Sequence, residues 1–439
     1  MKKEIDLKKL NERRVLVKDV FDSKAKNVEV AGWVHNTRGL GKIRFLLLRD
    51  VSGIIQITAV KGKVSDKIFN VIDDVSRESV VYVKGFVKDS RQAPGGKEIV
   101  PEEFEVLSFA EELPIDVSEH SKTELPKRLD YRFLDLHRMR TQAIFKIQST
   151  IGFSFKNYFV DKGFIDVQLP SVISNSSEGG TELFSVNYFN KKAYLAQSPQ
   201  LYKQMLACSM ENIVTITPVW RAEKHNTIRH LNECRQMDIE MAFADAKIVS
   251  KEMEGAVKYI VEEVIKKNKT ELDLLGVKLK VPKVKYMTFK EVADLMKKNK
   301  IKIGEDDLTG EAEKKLDELF PDTIVFVYDW PMKGKPFYIM PKNEEVNAEL
   351  SEGFDAIYKG MEISSGGQRI HLPKLLEKRL KAKGLNPKDF KNYIDSFRFG
   401  APPHAGWSIG IERFTHALLG LPNVREACLF PRDRDRLTP

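Results

Sequence analysis

Arginine and glutamate stand close together at the end of several runs of strand-forming residues. Trp220-Arg221-Ala222-Glu223 follows the apolar run 213–218. A polar loop (224–228) then leads to Arg229-His230-Leu231-Asn232-Glu233 and a second apolar run. The pattern is a hairpin with charged groups at its neck. Arginine offers a planar fork that matches phosphate oxygens, and a neighbouring glutamate holds that fork or a base edge. A surface hairpin laced with ion pairs has the same composition, so spacing alone leaves both readings open. Further on, Tyr358-Lys359-Gly360-Met361-Glu362-Ile363-Ser364-Ser365-Gly366-Gly367-Gln368-Arg369 runs from a strand into small residues. Its carboxylate and serine are oxygen donors of the kind Mg²⁺ takes, although serine-glycine turns are also common structural features. Residues 402–413 (PPHAGWSIGIER) end a glycine-spaced strand in a third pair, Glu412-Arg413. The alternative there is a helix N-terminus with a solvated arginine.

Other sources of chemistry are missing. The sequence has no Walker A loop and no dinucleotide-binding glycine fingerprint after a strand. The eight histidines show no HExxH-type spacing, and the three cysteines (Cys208, Cys234, Cys428) form neither a disulfide framework nor a CxxC zinc pair. No apolar stretch approaches the ~20 residues needed to cross a bilayer. The first ten residues, MKKEIDLKKL, alternate charge and lack the apolar centre of a signal peptide, so a cytoplasmic location is expected. Seventy-two basic against 63 acidic residues leave a net charge of +9 over 439 residues. Residues 1–107 hold 21 of the basic and 16 of the acidic residues, a surplus of +5, so over half the excess lies in the first quarter. That concentration suits a polyanionic partner bound near the N-terminus.

The elements that must position these residues fall into two groups. Residues 14–107 read as five short strands (28–34, 43–48, 54–58, 80–87 and 98–107) with an amphipathic helix at 66–75 after the third. That order suggests an OB-fold barrel, a fold that binds oligonucleotides on an open face; a generic small barrel is the alternative. Residues 108–130 are polar, carry two prolines and read as a hinge. The remainder, 131–439, alternates helices with strands. Ile144, Ile147, Ile151, Phe155 and Phe159 mark a long helix ending near Gly163, and further helices are expected at 246–267 and 373–383. Strands are expected at 193–196, 213–218, 324–328, 354–358 and 361–364. The stretch 265–345, richer in lysine and turn residues, reads as an insertion.

Taken in order, these segments resemble the class II aminoacyl-tRNA synthetases, and within them the subclass with an N-terminal OB-fold anticodon domain. Residues 163–180, with Leu169-Pro170, are similar to motif 1, the dimer-interface segment. The 221–233 hairpin is similar to motif 2, and 410–413 to motif 3. The implied fold class is α+β: an OB-fold barrel joined to a catalytic domain built on an antiparallel sheet flanked by helices. Gly179-Gly180-Thr181-Glu182-Leu183-Phe184 and Gln197-Ser198-Pro199-Gln200-Leu201-Tyr202-Lys203-Gln204 resemble aspartyl-tRNA synthetases of the archaeal and eukaryotic type. An asparaginyl enzyme is disfavoured by Lys203. A paralogue that only binds RNA, or activates aspartate for another purpose, is disfavoured by the presence of the barrel, Arg221 and Arg413.

The resemblance implies roles. Lys203 and Arg369 fall where the family reads the substrate's side-chain carboxylate; two cations in a closed pocket need an anion, and a neutral amide would leave them underpaired. Glu178 and Gln200 would hold the α-amino side, with Leu201 and Tyr202 in the same segment. Arg221 would grip the α-phosphate and the substrate, as the first of three catalytic residues with Arg413 and Glu362. Ala222, Glu223, Arg229, His230, Leu231, Gly410, Ile411 and Glu412 would complete the ATP site. Glu362 and Ser365 would bind Mg²⁺, and Ser365 would also touch aspartate. ATP and L-aspartate are the implied small substrates and tRNA-Asp the macromolecular one, handled by a homodimer with no membrane partner. In the barrel, Phe45 and Gln56 fall where the subclass stacks on and reads an anticodon base. His35 and Pro94 stand where enzymes specific for tRNA-Asp carry tryptophan and lysine. That substitution resembles the non-discriminating form, which also charges tRNA-Asn and requires a downstream amidotransferase; the discriminating form is the alternative. Two departures stand out: Ser408 in place of a usual glycine, and Cys234-Arg235 where an aromatic is common.

Overall fold

The structure is a computed structural model of the chain, describing residues 7–174, 183–224 and 227–439. It divides into two compact units, Met1–Pro114 and Ile115–Pro439.

In the first unit five strands close into a barrel: β1 (Asn27–Leu40), β2 (Ile43–Arg49), β3 (Ile54–Val60), β4 (Val80–Asp89) and β5 (Lys97–Ser108), ordered β1-β2-β3-β5-β4. Closure requires one parallel contact, Gln56 and Ile57 of β3 beside Glu98 and Ile99 of β5. The alternating pattern explains the barrel directly. Val28, Val30, Val34, Leu46, Leu48, Ile55, Ile57, Val81, Val83 and Ile99 all point inward, because every second residue of a strand faces the same side. The helix Asp66–Asp74 follows the third strand. Ser65 caps it by accepting from the Ile68 amide, and Ile68, Phe69 and Ile72 close one end of the core.

The second unit is built on an eight-stranded sheet. In chain order its strands, with the small sheet β7 to β9 between them, are β6 (Ile165–Asp166), β7 (Val172–Ile173), β8 (Ser185–Tyr188), β9 (Lys191–Leu195), β10 (Asn212–Trp220), β11 (Glu233–Ala242), β12 (Lys283–Thr288), β13 (Thr323–Tyr328), β14 (Gly353–Tyr358), β15 (Met361–Gln368) and β16 (His404–Gly410). The large sheet runs β12-β13-β14-β15-β16-β11-β10-β6. The six strands from β13 to β10 are antiparallel, whereas β12 and β6 pair in parallel at the edges. The sheet is therefore mixed at its margins and antiparallel where the charged segments lie.

One face of this sheet is greasy. Met237 and Ile239 of β11 and Ala405, Trp407 and Ile409 of β16 pack beneath two 22-residue helices, Met139–Val160 and Ala246–Lys267. The first helix contributes the expected Ile144, Ile147, Ile151, Phe155 and Phe159. Trp407 meets Phe155 and Phe159 edge-on and donates its indole N–H to the Val249 carbonyl at 2.9 Å. The alternate residues of the same strands, Gln236, Asp238 and Glu240 with His404, Gly406 and Ser408, face away from these helices.

Two stretches behave differently from their reading in the sequence. Residues 265–345 contribute β12 and β13, so they extend the main sheet, and Val292, Met296, Leu308, Ala312 and Leu316 form an apolar cluster with β13. The polar run 108–130 is divided: Ile115, Val117 and Leu129 are buried, and residues 125–130 form a helix at the start of the second unit.

Candidate active site

Strands β10 and β11 pair in unbroken register from Asn212–Met241 to Trp220–Glu233. The hairpin neck is then laced by main-chain polar groups: the Arg221 amide donates to the Asn232 carbonyl at 2.9 Å, and the Asn232 side chain donates to the Arg221 carbonyl at 2.9 Å. This closure aims Arg221, Glu223, Arg229, His230 and Leu231 into a cleft of about 440 Å³ on the polar face of the sheet. Glu362, Ser364, Ser365 and Arg369 of the β15 segment, Ser408 and Gly410 of β16, and Glu412 and Arg413 line the same cleft. Residues separated by almost 200 positions in sequence thus converge because β11, β16 and β15 are neighbours.

The arginines differ in their surroundings. The Arg229 guanidinium lies 2.6 Å from Glu313. Arg413 makes no hydrogen bond or ion pair among the described residues, and so presents open donors to the cleft. Glu412 is already engaged: it is buried and accepts from the Arg235 amide at 3.0 Å, tying the helix Ile411–Leu419 to β11. Burial pushes its carboxyl up. His230 Nδ1 is 2.5 Å from the Thr227 hydroxyl, and its Nε2 is 3.6 Å from Glu223.

Glu362 has a carboxyl pushed up to about 7, first by burial and then by Asp355. Asp355 stands opposite Ser365 across β14 and β15. One of its oxygens bonds Lys335 at 2.7 Å, while Oδ1 is buried with no hydrogen-bond partner. A buried carboxyl whose ionisation a neighbouring carboxylate opposes, with an orphaned oxygen on that neighbour, fits a hard cation that supplies the missing charge. Among the described residues no cluster of three or more His, Cys, Asp or Glu side chains is present. A divalent ion here would take its other ligands from the Ser365 hydroxyl, water and substrate phosphate, as Mg²⁺ commonly does.

At one end of the cleft the pairing departs from the expectation of two underpaired cations. Lys203 and Arg369 are buried, but they are not unpaired cations. Lys203 Nζ sits 2.9 Å from Asp238 and 3.3 Å from Glu240, and also meets the Ile239 and Trp407 carbonyls at 3.3 and 3.2 Å. Arg369 engages both oxygens of Glu240, at 2.9 and 3.3 Å. Two cations face two acids, so the pocket is charge-neutral before any substrate enters. Glu240 occupies the Nε edge of Arg369, and the Nη1 corner makes no hydrogen bond among the described residues. Burial opposes ionisation of Glu240, yet Arg369 and Lys203 outweigh it and keep the carboxyl below its ordinary range. Gly406 makes the arrangement possible, since a Cβ there would lie 2.2 Å from a Glu240 oxygen. Ser408, the departure from glycine, donates to Asp238 at 3.1 Å and so joins this network.

Other expected residues are distributed as follows. Gln200 lines the cleft and donates to Gln204 at 2.8 Å. Leu201 and Tyr202 instead line a neighbouring cavity of about 310 Å³ with residues 388–393, because adjacent positions of the helix Gln200–Met210 point in different directions. Ala222 lines a third cavity, and the Ile411 side chain packs into the core. Glu178 and residues 179–182 lie outside the described residues, as does most of the motif 1 stretch after Ser174. In the barrel, Phe45 and Gln56 are half-buried on β2 and β3. The Gln56 amide donates to Glu98 at 3.0 Å and to Thr58 at 3.1 Å. His35 Nδ1 lies 3.3 Å from Arg49, which is itself doubly bonded to Glu78. Pro94 is exposed in the turn before β5.

A closed five-stranded barrel together with an arginine-lined cleft on an antiparallel sheet is the architecture of an aminoacyl-tRNA ligase of class II. The chain belongs to the class II tRNA synthetase family for D, K and N, whose family model matches residues 124–434; residues 28–107 match an OB-fold nucleic acid binding domain. An aspartate–tRNA(Asp/Asn) ligase from Methanocaldococcus jannaschii is 46% identical over 417 residues, covering 94% of each chain. Among solved structures, an asparaginyl-tRNA synthetase from Pyrococcus horikoshii complexed with asparaginyl-adenylate superposes with a TM-score of 0.92 at 33% identity, covering 97% of this chain and 99% of that one. An aspartyl-tRNA synthetase from Entamoeba histolytica gives 0.88 at 31% identity, covering 100% and 95%. No helix among the described residues is long and apolar enough to cross a membrane.

Proposed function

We propose that the protein activates L-aspartate with ATP and transfers it to tRNA-Asp and to tRNA-Asn. The observation that carries this reading is the single cleft lined both by Arg221, Arg229 and Arg413 and by the buried Arg369 with its free Nη1 corner. An α-carboxylate held there attacks the α-phosphorus of ATP in line, forming aspartyl-adenylate and releasing pyrophosphate. A ribose hydroxyl of the tRNA's terminal adenosine then attacks the acyl carbon, and AMP leaves. No protein nucleophile is needed, because positioning and charge stabilisation supply the catalysis.

Arg221 holds the α-phosphate as charge develops on it. Arg229, His230 and Arg413 hold the outer phosphates and the adenine, with Glu223 and Leu231 shaping the base site and the 410–412 main chain beneath it. Glu362, Asp355 and Ser365 would hold Mg²⁺, which would supply charge neutralisation to the phosphates. Gln200 and Glu178 hold the amino group. Arg369 receives the side-chain carboxylate. Lys203, already saturated by four oxygens, acts mainly by keeping Asp238 and Glu240 in place.

Barrel residues Phe45 and Gln56 stack on and read an anticodon base, a contact worth roughly 1–3 kcal/mol per stacked base. His35 and Pro94 relax the choice at the third anticodon position, so an amidotransferase must then convert the Asp-tRNA-Asn. A homodimer fits the exposed apolar side chains Phe153, Leu429 and Phe430, which border one open cavity. A cytoplasmic location fits the substrates.

A neutral pocket and the asparaginyl structural relative also favour a second reading, asparagine activation. Amino-acid-dependent exchange of pyrophosphate into ATP separates them. Aspartate is expected to support exchange at least roughly 10³-fold more efficiently than asparagine, because the Nη1 corner of Arg369 offers only N–H donors and a side-chain amide turns one N–H-bearing end toward the site where a carboxylate presents two acceptor oxygens. Exchange with asparagine alone contradicts the proposal.

A further inference from the structure

The Arg229 side chain is held by a residue from outside every motif that marks the cleft. Its partner Glu313 lies in the first turn of the helix Gly310–Leu319, within the lysine-rich 265–345 stretch, 84 positions away in sequence. The guanidinium lies against the start of this helix: a Cβ on Gly310 would be 3.4 Å from Arg229 Nη1, within van der Waals contact. A helix N-terminus carries partial positive charge and is a poor neighbour for a cation. Glu313 offsets that repulsion. Its carboxyl is largely buried, and the Glu362 main-chain N–H and the charge of Arg413 also act on it. Burial pushes the carboxyl up, and these partners oppose the rise. The hairpin loop is also tied through its backbone: the Val424 amide donates to the Ile228 carbonyl at 2.9 Å, and Arg425 donates to the Thr227 carbonyl at 3.0 Å. Nothing in those contacts fixes the direction of the Arg229 side chain.

We propose that Glu313 is a positioning residue for ATP binding, holding the Arg229 guanidinium at the point where the outer phosphates of ATP enter. The inference rests on the reading of Arg229 as a phosphate ligand. It makes the 265–345 stretch part of the nucleotide site through one side chain, besides its role in extending the sheet. In the bound state Arg229 shares its donors between Glu313 and phosphate, which its several N–H groups permit.

The test is pyrophosphate exchange with the full chain and the variants Glu313→Ala, Glu313→Gln, Arg229→Ala and the double Arg229→Ala/Glu313→Ala, each checked for a wild-type unfolding midpoint. Glu313→Ala is expected to raise KM for ATP by roughly 10- to 100-fold, the cost of losing one charge-assisted contact. KM for aspartate should stay within about twofold, a split that general loosening of the fold does not produce. Glu313→Gln keeps an acceptor oxygen and should recover part of the loss. The double variant should be no worse than Arg229→Ala, because the two side chains act as one unit. If Arg229→Ala raises KM for ATP but Glu313→Ala does not, the positioning role is wrong and the phosphate reading survives. If Arg229→Ala leaves KM for ATP unchanged, the phosphate reading fails and takes the proposal with it. A lower KM for ATP in Glu313→Ala also overturns it, since the carboxylate would then be competing with ATP.

Discussion

Replacing Arg221 with alanine is expected to slow aspartyl-adenylate formation by roughly 10³-fold or more, equivalent to about 4 kcal/mol of transition-state stabilisation. The effect should fall mainly on kcat in pyrophosphate exchange. Charge on the α-phosphate grows as the carboxylate attacks, and a donor aimed at that charge contributes most in the transition state. The surroundings of Arg221 support a large value. Its backbone is clamped by Asn232 from both directions, at 2.9 Å each, so little reorganisation is needed during reaction. Arg221→Lys should recover only a small part, since a single ammonium cannot reproduce the fork. A loss below tenfold in the alanine variant, with the protein folded, would remove Arg221 from the chemistry.

The largest expected effect on stability lies away from the cleft. Asp135 is fully buried and accepts from three arginines: Arg128 at 2.8 and 3.2 Å, Arg132 at 2.6 Å and Arg138 at 3.4 Å. Arg132 also donates to the Glu426, Cys428 and Leu429 carbonyls at 3.0 to 3.1 Å, which ties the start of the second unit to the chain's last residues. Asp135→Ala leaves buried cations without their counter-charge and should cost about 3–5 kcal/mol. Denaturant unfolding followed in the second unit should show the midpoint falling; a shift under about 1 kcal/mol would mean that the carbonyls alone satisfy the arginines. The pH dependence has a definite sign. Burial pushes the Asp135 carboxyl up, but the arginines outweigh it and hold it below its ordinary range. Its stabilisation is therefore complete above about pH 4, the ordinary carboxyl value, and is lost as pH falls through the lower folded value.

The parts legible in the sequence were those whose pattern has a single geometric meaning. Alternation in 28–34 leads to a half-buried strand, and the 213–233 run could hardly be other than a hairpin. The acids Asp238, Glu240 and Asp355 were missed although a signal was present. In Gln236-Met237-Asp238-Ile239-Glu240 the apolar residues alternate with polar ones, so two carboxylates share the face opposite the core. Read that way, the segment already implies buried partners for Lys203 and Arg369. The ion pair of Arg229 with Glu313 had no such signal, because nothing local relates positions that only sheet order brings together. The lysine content of 265–345 was misleading for a similar reason: β12 is an edge strand, and edge strands tolerate charge that a central strand cannot. Leu201 and Tyr202 show the limit of carrying a contiguous motif into space, since a helix turns neighbours away from one another.

Aminoacylation with labelled aspartate, run in parallel on pure tRNA-Asp and tRNA-Asn transcripts, tests the central claim most directly. Charging of both at comparable efficiency is expected, with His35 and Pro94 as the positions at which substitution restores a preference. Charging of tRNA-Asp alone would contradict the relaxed specificity, and charging of neither would contradict the proposed reaction itself.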